Sequence, residues 1–135
     1  MPLDLELRLR PDARSPAEAR KTLEALRVSL DDEVVDDAAL LLSEIVSNSV
    51  RHAGLVATDA IEVRIRGSRS MLHVDVVDPG PGFPLERAPQ PGSEGGWGLW
   101  LLDRLATRWG VERGDTTRVW FDLEPSVSAS VAAGT

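Results

Sequence analysis

The sequence predicts an α+β two-layer sandwich, a mixed, mostly antiparallel sheet with three helices on one face. Short stretches such as Leu3–Leu9 (LDLELRL), Ala60–Arg66 and Met71–Val77 alternate apolar and polar residues. A period of two marks strands with one buried and one wet face. Elsewhere apolar residues recur three and four apart, the pattern of amphipathic helices. The strands come mainly in consecutive pairs, whereas a doubly wound sheet needs strands and helices in regular alternation.

Leu3–Leu9 is the first strand, ended by Pro11 and the polar run Asp12–Ser15. Ser15-Pro16 opens a helix, with Ser15 as N-cap, Pro16 at the first helical position and Glu18 as capping-box partner. That helix, Ala17–Leu30, places Ala19, Leu23, Leu26 and Leu30 on one face. Asp31-Asp32 forms a second helix start. The helix that follows runs through Leu40–Ala53, and Gly54 is placed to end it. Ala60–Arg66 and Met71–Val77 form an antiparallel pair around a turn at Gly67–Ser70. Leu85–Glu94, with Pro89, Pro91 and Gly92 and no periodicity, is read as a mobile loop. Leu99–Trp109 is the third helix, with Gly110 as its cap. Val111–Arg113, a turn at Gly114-Asp115, and Thr117–Leu123 form the last hairpin. The chain of 135 residues fits one domain, residues 1–124, followed by a disordered tail, 125–135.

Charge and composition narrow the function. The net charge is −7, which argues against direct binding of nucleic acid. There is no cysteine, so disulfides, thiolate metal sites and cysteine nucleophiles are excluded. Asp4, Glu6, Arg8 and Arg10 interrupt any signal-like start, and no apolar run is long enough for a bilayer. A cytoplasmic protein with no membrane association is the expectation.

Three motifs carry chemistry. Glu44, Asn48 and His52 lie four apart and form one polar stripe beside the apolar face of Val34, Val35, Ala38, Leu41, Leu42, Ile45, Val46 and Val50. An Asn carbonyl oxygen is a hard ligand suited to Mg²⁺. Glu44, one turn away, is placed to act as a general base. His52 either joins the site or packs with one hydrogen bond, and Arg51 either reaches a phosphate or is solvated. Asp78-Pro-Gly80-Pro-Gly82 follows a strand. It can offer a carboxylate to an exocyclic amino group, with glycines that let a ring approach the backbone. Gly96-Trp-Gly98 opens a helix, whose free N–H groups favour an anion. Each motif also has a plain structural reading: a solvated helix edge, a Pro/Gly turn, a flexible helix entry.

Taken in their fixed order, SEIVSNSVRHAG, VDVVDPGPGFP, GGWGLWLLDRLATRWG and VWFDL resemble the GHKL, or Bergerat-fold, ATPase superfamily. Within it they resemble the actinobacterial branch of the small anti-sigma regulatory factors, which are serine/threonine protein kinases. The resemblance spans about Leu3–Leu123. It implies ATP and Mg²⁺ as cofactors, with Glu44 as catalytic base and Asn48 as metal ligand. The implied cofactor-binding set is Asn48, Arg51, His52, Asp78, Gly80, Gly82, Gly96, Gly98 and Leu99, under a lid formed by Leu85–Glu94. It implies phosphorylation of a serine on an anti-anti-sigma, STAS-type partner, sequestration of a sigma factor, and a homodimer. The alternative is a non-catalytic nucleotide-binding module that regulates a partner by sequestration. Two positions depart from the pattern. Glu94 stands where the kinases carry a basic residue, for which Arg87 is a candidate substitute. Arg118 stands where the family often places an adenine-contacting threonine, and Thr117 is expected to point to the opposite face. His73 is expected on the wet face of its strand. No sensor or phosphoacceptor helices are present in the pattern, which sets the chain apart from a complete histidine kinase.

Overall fold

The computed structural model describes residues 3–52, 55–68, 71–80 and 98–125, apart from the side chain of His52. The elements are β1 (Leu3–Leu9), α1 (Ser15–Glu24) with a 3₁₀ turn (Ala25–Val28), α2 (Asp32–His52), β2 (Ile61–Gly67), β3 (Leu72–Asp78), α3 (Gly98–Leu105), β4 (Arg108–Arg113) and β5 (Thr117–Leu123). The sheet order is β1-β2-β3-β5-β4, and each neighbouring pair is antiparallel. The α+β sandwich and its one-sided helical layer are as the sequence predicts. Helices α1 and α2 pack on each other and on the sheet, and α3 packs on α2.

The alternating strands explain the two faces. Ile61, Val63 and Ile65 of β2, Leu72, Val74 and Val76 of β3, and Val119, Phe121 and Leu123 of β5 are buried toward the helices. They meet Leu23 of α1, Leu41, Leu42, Ile45 and Val46 of α2, and Leu102 of α3 in one core. Glu62, Arg64 and Arg66 face the opposite way and are exposed. Burying an aliphatic or aromatic side chain is worth about 1.5–3 kcal/mol, so the inner face fixes the register of every strand.

Both predicted ends of the first helix differ. Ser15 is not the N-cap of α1. That position is Arg14, and it makes no side-chain cap bond. The buried Ser15 hydroxyl instead donates to the Arg10 carbonyl, while Asp12 Oδ1 accepts from the Arg14 N–H at 2.8 Å. The turn before the helix therefore has its own hydrogen bonds, and the capping box with Glu18 does not form. The first helix is also shorter than Ala17–Leu30, since its last turn tightens to 3₁₀.

The third helix stops at Leu105, not Trp109, and Gly110 is a strand residue rather than a cap. The Thr107 N–H donates to the Asp122 carbonyl at 2.8 Å, which draws the chain onto β5. Trp109 and Val111 then alternate as a strand pattern, although Leu105 and Trp109 also fit a helical spacing. Gly110 lies opposite Trp120, and a Cβ there would sit 2.6 Å from the indole Nε1. The missing side chain is required by the indole that covers it. The predicted Gly54 cap, the Leu85–Glu94 loop and residues 126–135 of the predicted tail lie outside the described residues.

Candidate functional site

The site is assembled where α2, the end of β3 and the start of β5 meet. Asp78 is the last inner-face residue of β3, a carboxylate where the strand's alternation otherwise places Leu72, Val74 and Val76. It is 2 % exposed. A charge so buried must be hydrogen-bonded, and each of its oxygens has a donor. Oδ2 accepts from the Ser49 hydroxyl of α2 at 2.8 Å, and Oδ1 accepts from the Gly80 N–H at 2.9 Å. Asp78 is thereby fixed in direction by two elements at once.

Thr117 completes this corner. It pairs in register with Asp78 and is buried, and its hydroxyl donates to the Gly80 carbonyl at 3.0 Å. The expectation that Thr117 points away is therefore wrong. Val119, Phe121 and Leu123 are inner-face residues, and Thr117 shares their parity. Arg118 takes the outer face, where it pairs with Glu112 at 2.9 Å and with Asp75.

Along α2, Glu44 and Asn48 of the predicted stripe lie one helical turn apart. Asn48 is 3 % exposed and lies next to the Ser49 that holds Asp78. Among the described residues, its buried Oδ1 has no hydrogen-bond partner, nor does Oε2 of Glu44, one turn away. Leaving a buried acceptor unpaired costs about 1–3 kcal/mol, so two such atoms on one stripe require explanation. Burial pushes the Glu44 carboxyl above its ordinary range, and the positive charge of Arg51 opposes that shift. Arg51 itself is exposed.

Other predicted positions divide as follows. Gly80 is brought to the site by both its N–H and its carbonyl. Gly98 is the first residue of α3, and Leu99 beside it is buried. Gly82 and Gly96, with the side chain of His52, lie outside the described residues. The sequence reading missed Ser49, although it continues the buried face of Leu42, Ile45 and Val46 at helical spacing, and misplaced Thr117, although the β5 alternation carried its signal.

The donor set fits the expected groups. A carboxamide oxygen with no internal partner is the kind of hard ligand that Mg²⁺ takes beside phosphate oxygens and water. Among the described residues no cluster of three or more His, Cys, Asp or Glu side chains could hold a metal by itself. Asp78, with each oxygen used once, keeps acceptor capacity for an amino group on a base.

His73 lies on the outer face as expected, but it is not simply solvated. Its Nδ1 lies 2.5 Å from Asp122 and its Nε2 2.9 Å from Asp75, and its ring stacks on Trp120. This network and a 580 Å³ trough lined by Arg8, Arg64, Asp75 and Arg118 are on the face turned away from Asp78.

Comparison with known proteins gives the family and the fold. The family model described as a histidine kinase-like ATPase domain matches residues 9–122. No curated protein gives a significant match. Among solved structures, the RsbU and RsbW domains of Rv1364c from Mycobacterium tuberculosis align with a TM-score of 0.71 at 19% identity, covering 90% of this chain and 32% of that one. The histidine kinase domain of the blue-light activated histidine kinase EL346 from Erythrobacter litoralis aligns with a TM-score of 0.55 at 30% identity, covering 75% of this chain and 49% of that one. The chain thus spans about a third and about half of these two structures. Among the described residues, no helix is long and apolar enough to cross a membrane.

Proposed function

Because the chain belongs to the family of histidine kinase-like ATPase domains, we propose that it binds ATP with Mg²⁺ at the corner formed by α2, β3 and β5, and acts as an anti-sigma regulatory factor with serine kinase activity. The observation that carries this reading is the pair of buried oxygens on α2, Asn48 Oδ1 and Glu44 Oε2, that have no hydrogen-bond partner among the described residues, beside the Ser49–Asp78 contact. Asn48 would hold Mg²⁺, which when bound neutralises phosphate charge. Asp78 would accept a hydrogen bond from the adenine amino group, with Thr117 and Gly80 bordering the same corner. Gly96 and Gly98, the glycines of the third motif, would border the phosphates. Arg51 would face the phosphates from solvent, with His52 and Leu99 lining the edge.

In the transfer step, a partner serine oxygen bonds to the γ-phosphorus while the bond to the bridging oxygen breaks and ADP leaves. Glu44 takes the serine proton. A carboxyl whose pKa is raised by burial is suited to accept a proton near neutral pH. The partners in this reading are an anti-anti-sigma protein of STAS type and a sigma factor, with a homodimer as the working form; a structure of the same fold contains an RsbW domain.

A second reading is a nucleotide-binding module that sequesters its partner without phosphoryl transfer. Glu94, an acid ahead of the Gly96-Trp-Gly98 motif, favours it, because like charges beside phosphate repel. Incubation with γ-labelled ATP and a candidate anti-anti-sigma protein separates the two. Label on the partner's serine, lost in Glu44→Gln, supports the kinase. ATP binding with no transfer to partner supports the module, and absence of ATP binding defeats both.

A further inference from the structure

We propose that Ser49 is a positioning residue that gives the Asp78 carboxylate its preference for a base bearing an exocyclic amino group. The inference rests on the nucleotide-binding reading above and adds a residue to it. Serine in the interior of a helix ordinarily turns its hydroxyl back onto a carbonyl of the preceding turn, as Ser43 does to Leu40 at 3.0 Å. Ser49 does not. It is 4 % exposed, and its hydroxyl crosses to Asp78 Oδ2 at 2.8 Å, a residue 29 positions away. The helix gives up the better propensity of alanine at this position, and the observed return is one contact to one carboxylate.

The geometry makes that contact directional. The Gly80 N–H holds Oδ1 and the Ser49 hydroxyl holds Oδ2. With both oxygens tied, neither carboxylate torsion is free, and the plane of the group is set before any ligand arrives. A carboxylate accepts only, with room for about two hydrogen bonds on each oxygen, so one acceptor direction remains on each. An amino group on a base satisfies that direction. A carbonyl in the same place sets oxygen against oxygen. Without Ser49 the carboxylate has one tether, from a residue in the loop that follows its own strand, and can swing aside to relieve a mismatch. Preorganised acceptors discriminate because the wrong partner leaves them unpaired.

The test uses the full chain and calorimetry with Mg²⁺ and two nucleotides, ATP and the triphosphate of purine riboside, which lacks the 6-amino group. Wild type is expected to bind ATP at least about tenfold more tightly than the analogue. Ser49→Ala is expected to weaken ATP about tenfold and the analogue by less than about twofold, closing the gap between them. Ser49→Thr, which keeps the hydroxyl, should restore ATP affinity to within about threefold of wild type. Ser49→Cys, a near-isostere with a weak donor, should fall between the two and supplies the comparison should Ser49→Ala fail to fold. Equal losses for both nucleotides would overturn the proposal, because a purely structural residue acts on both alike. An unchanged ratio of affinities in Ser49→Ala or Ser49→Cys would overturn it too, leaving the nucleotide reading intact. Failure of wild type to bind either nucleotide defeats the nucleotide reading itself.

Discussion

Glu44 is a half-buried carboxylate whose pKa is raised by desolvation, with Arg51 pulling it back. An acid whose pKa rises on folding subtracts from stability. The penalty is absent below the unfolded-state pKa, where both states are protonated, and complete above the folded-state value. Glu44→Gln should therefore raise the melting temperature of the nucleotide-free protein at pH 7 by a few degrees, about 2–4 °C, and the gain should disappear near about pH 4. Scanning calorimetry at both pH values checks this, and a lower melting temperature at pH 7 counts against it. Asn48→Ala and Asp78→Asn should each reduce Mg²⁺-nucleotide affinity by more than about 100-fold while circular dichroism stays unchanged. Unaltered affinity in either variant would remove that residue from the site. At this scale the sequence was readable wherever one period decided the matter: Glu44 and Asn48 share a stripe because they are one helical turn apart. The spacing of Ser49 from Ile45 and Val46 puts it on the buried face, but its contact with Asp78 was not readable, because that partner is defined by the docking of a strand onto a helix, which no local spacing encodes. Thr117 was readable from Val119, Phe121 and Leu123, and was misplaced when parity was judged from Arg118 alone.

Among the elements, the C-terminal hairpin depends on a glycine. Gly110 lies under Trp120, with Nε1, Cε2 and Cζ2 of the indole 2.6, 2.8 and 2.9 Å from a Cβ that any other residue would add. Gly110→Val should lower stability by about 1–3 kcal/mol in urea unfolding. Adding Trp120→Ala should recover at least half of that loss, because the clash is pairwise. A second substitution that only adds to the loss would show that Gly110 is needed for its backbone rather than for the space. The end of α3 was ambiguous in the sequence for a related reason. Leu105, Trp109 and Val111 satisfy a helical spacing and a strand alternation in turn. The choice is made by Thr107, whose N–H goes to β5 rather than to another turn of helix.

Across the whole molecule, the layer architecture was readable because the strands alternate cleanly and the helices carry broad apolar faces. The insertion of β5 between β3 and β4 was not, since which strand pairs with which is settled by the packed core and not by chain order. If nucleotide binds only the native chain, ATP with Mg²⁺ at about 100 times its dissociation constant should add about 2.7 kcal/mol of stability. Thermal unfolding should rise by several degrees in wild type and remain fixed in Asn48→Ala. An identical rise in both would place the nucleotide elsewhere.

Strand β3 is flanked by β2 on one side and β5 on the other, and Asp78 is its last residue. Its amides are paired in the interior of the sheet, so in deuterated buffer they should be among the slowest to exchange, while those of β1 and β4 at the two margins open first. The carboxylate proposed to recognise the base is thus fastened to the part of the chain that opens least often, and it can keep its orientation while the periphery breathes.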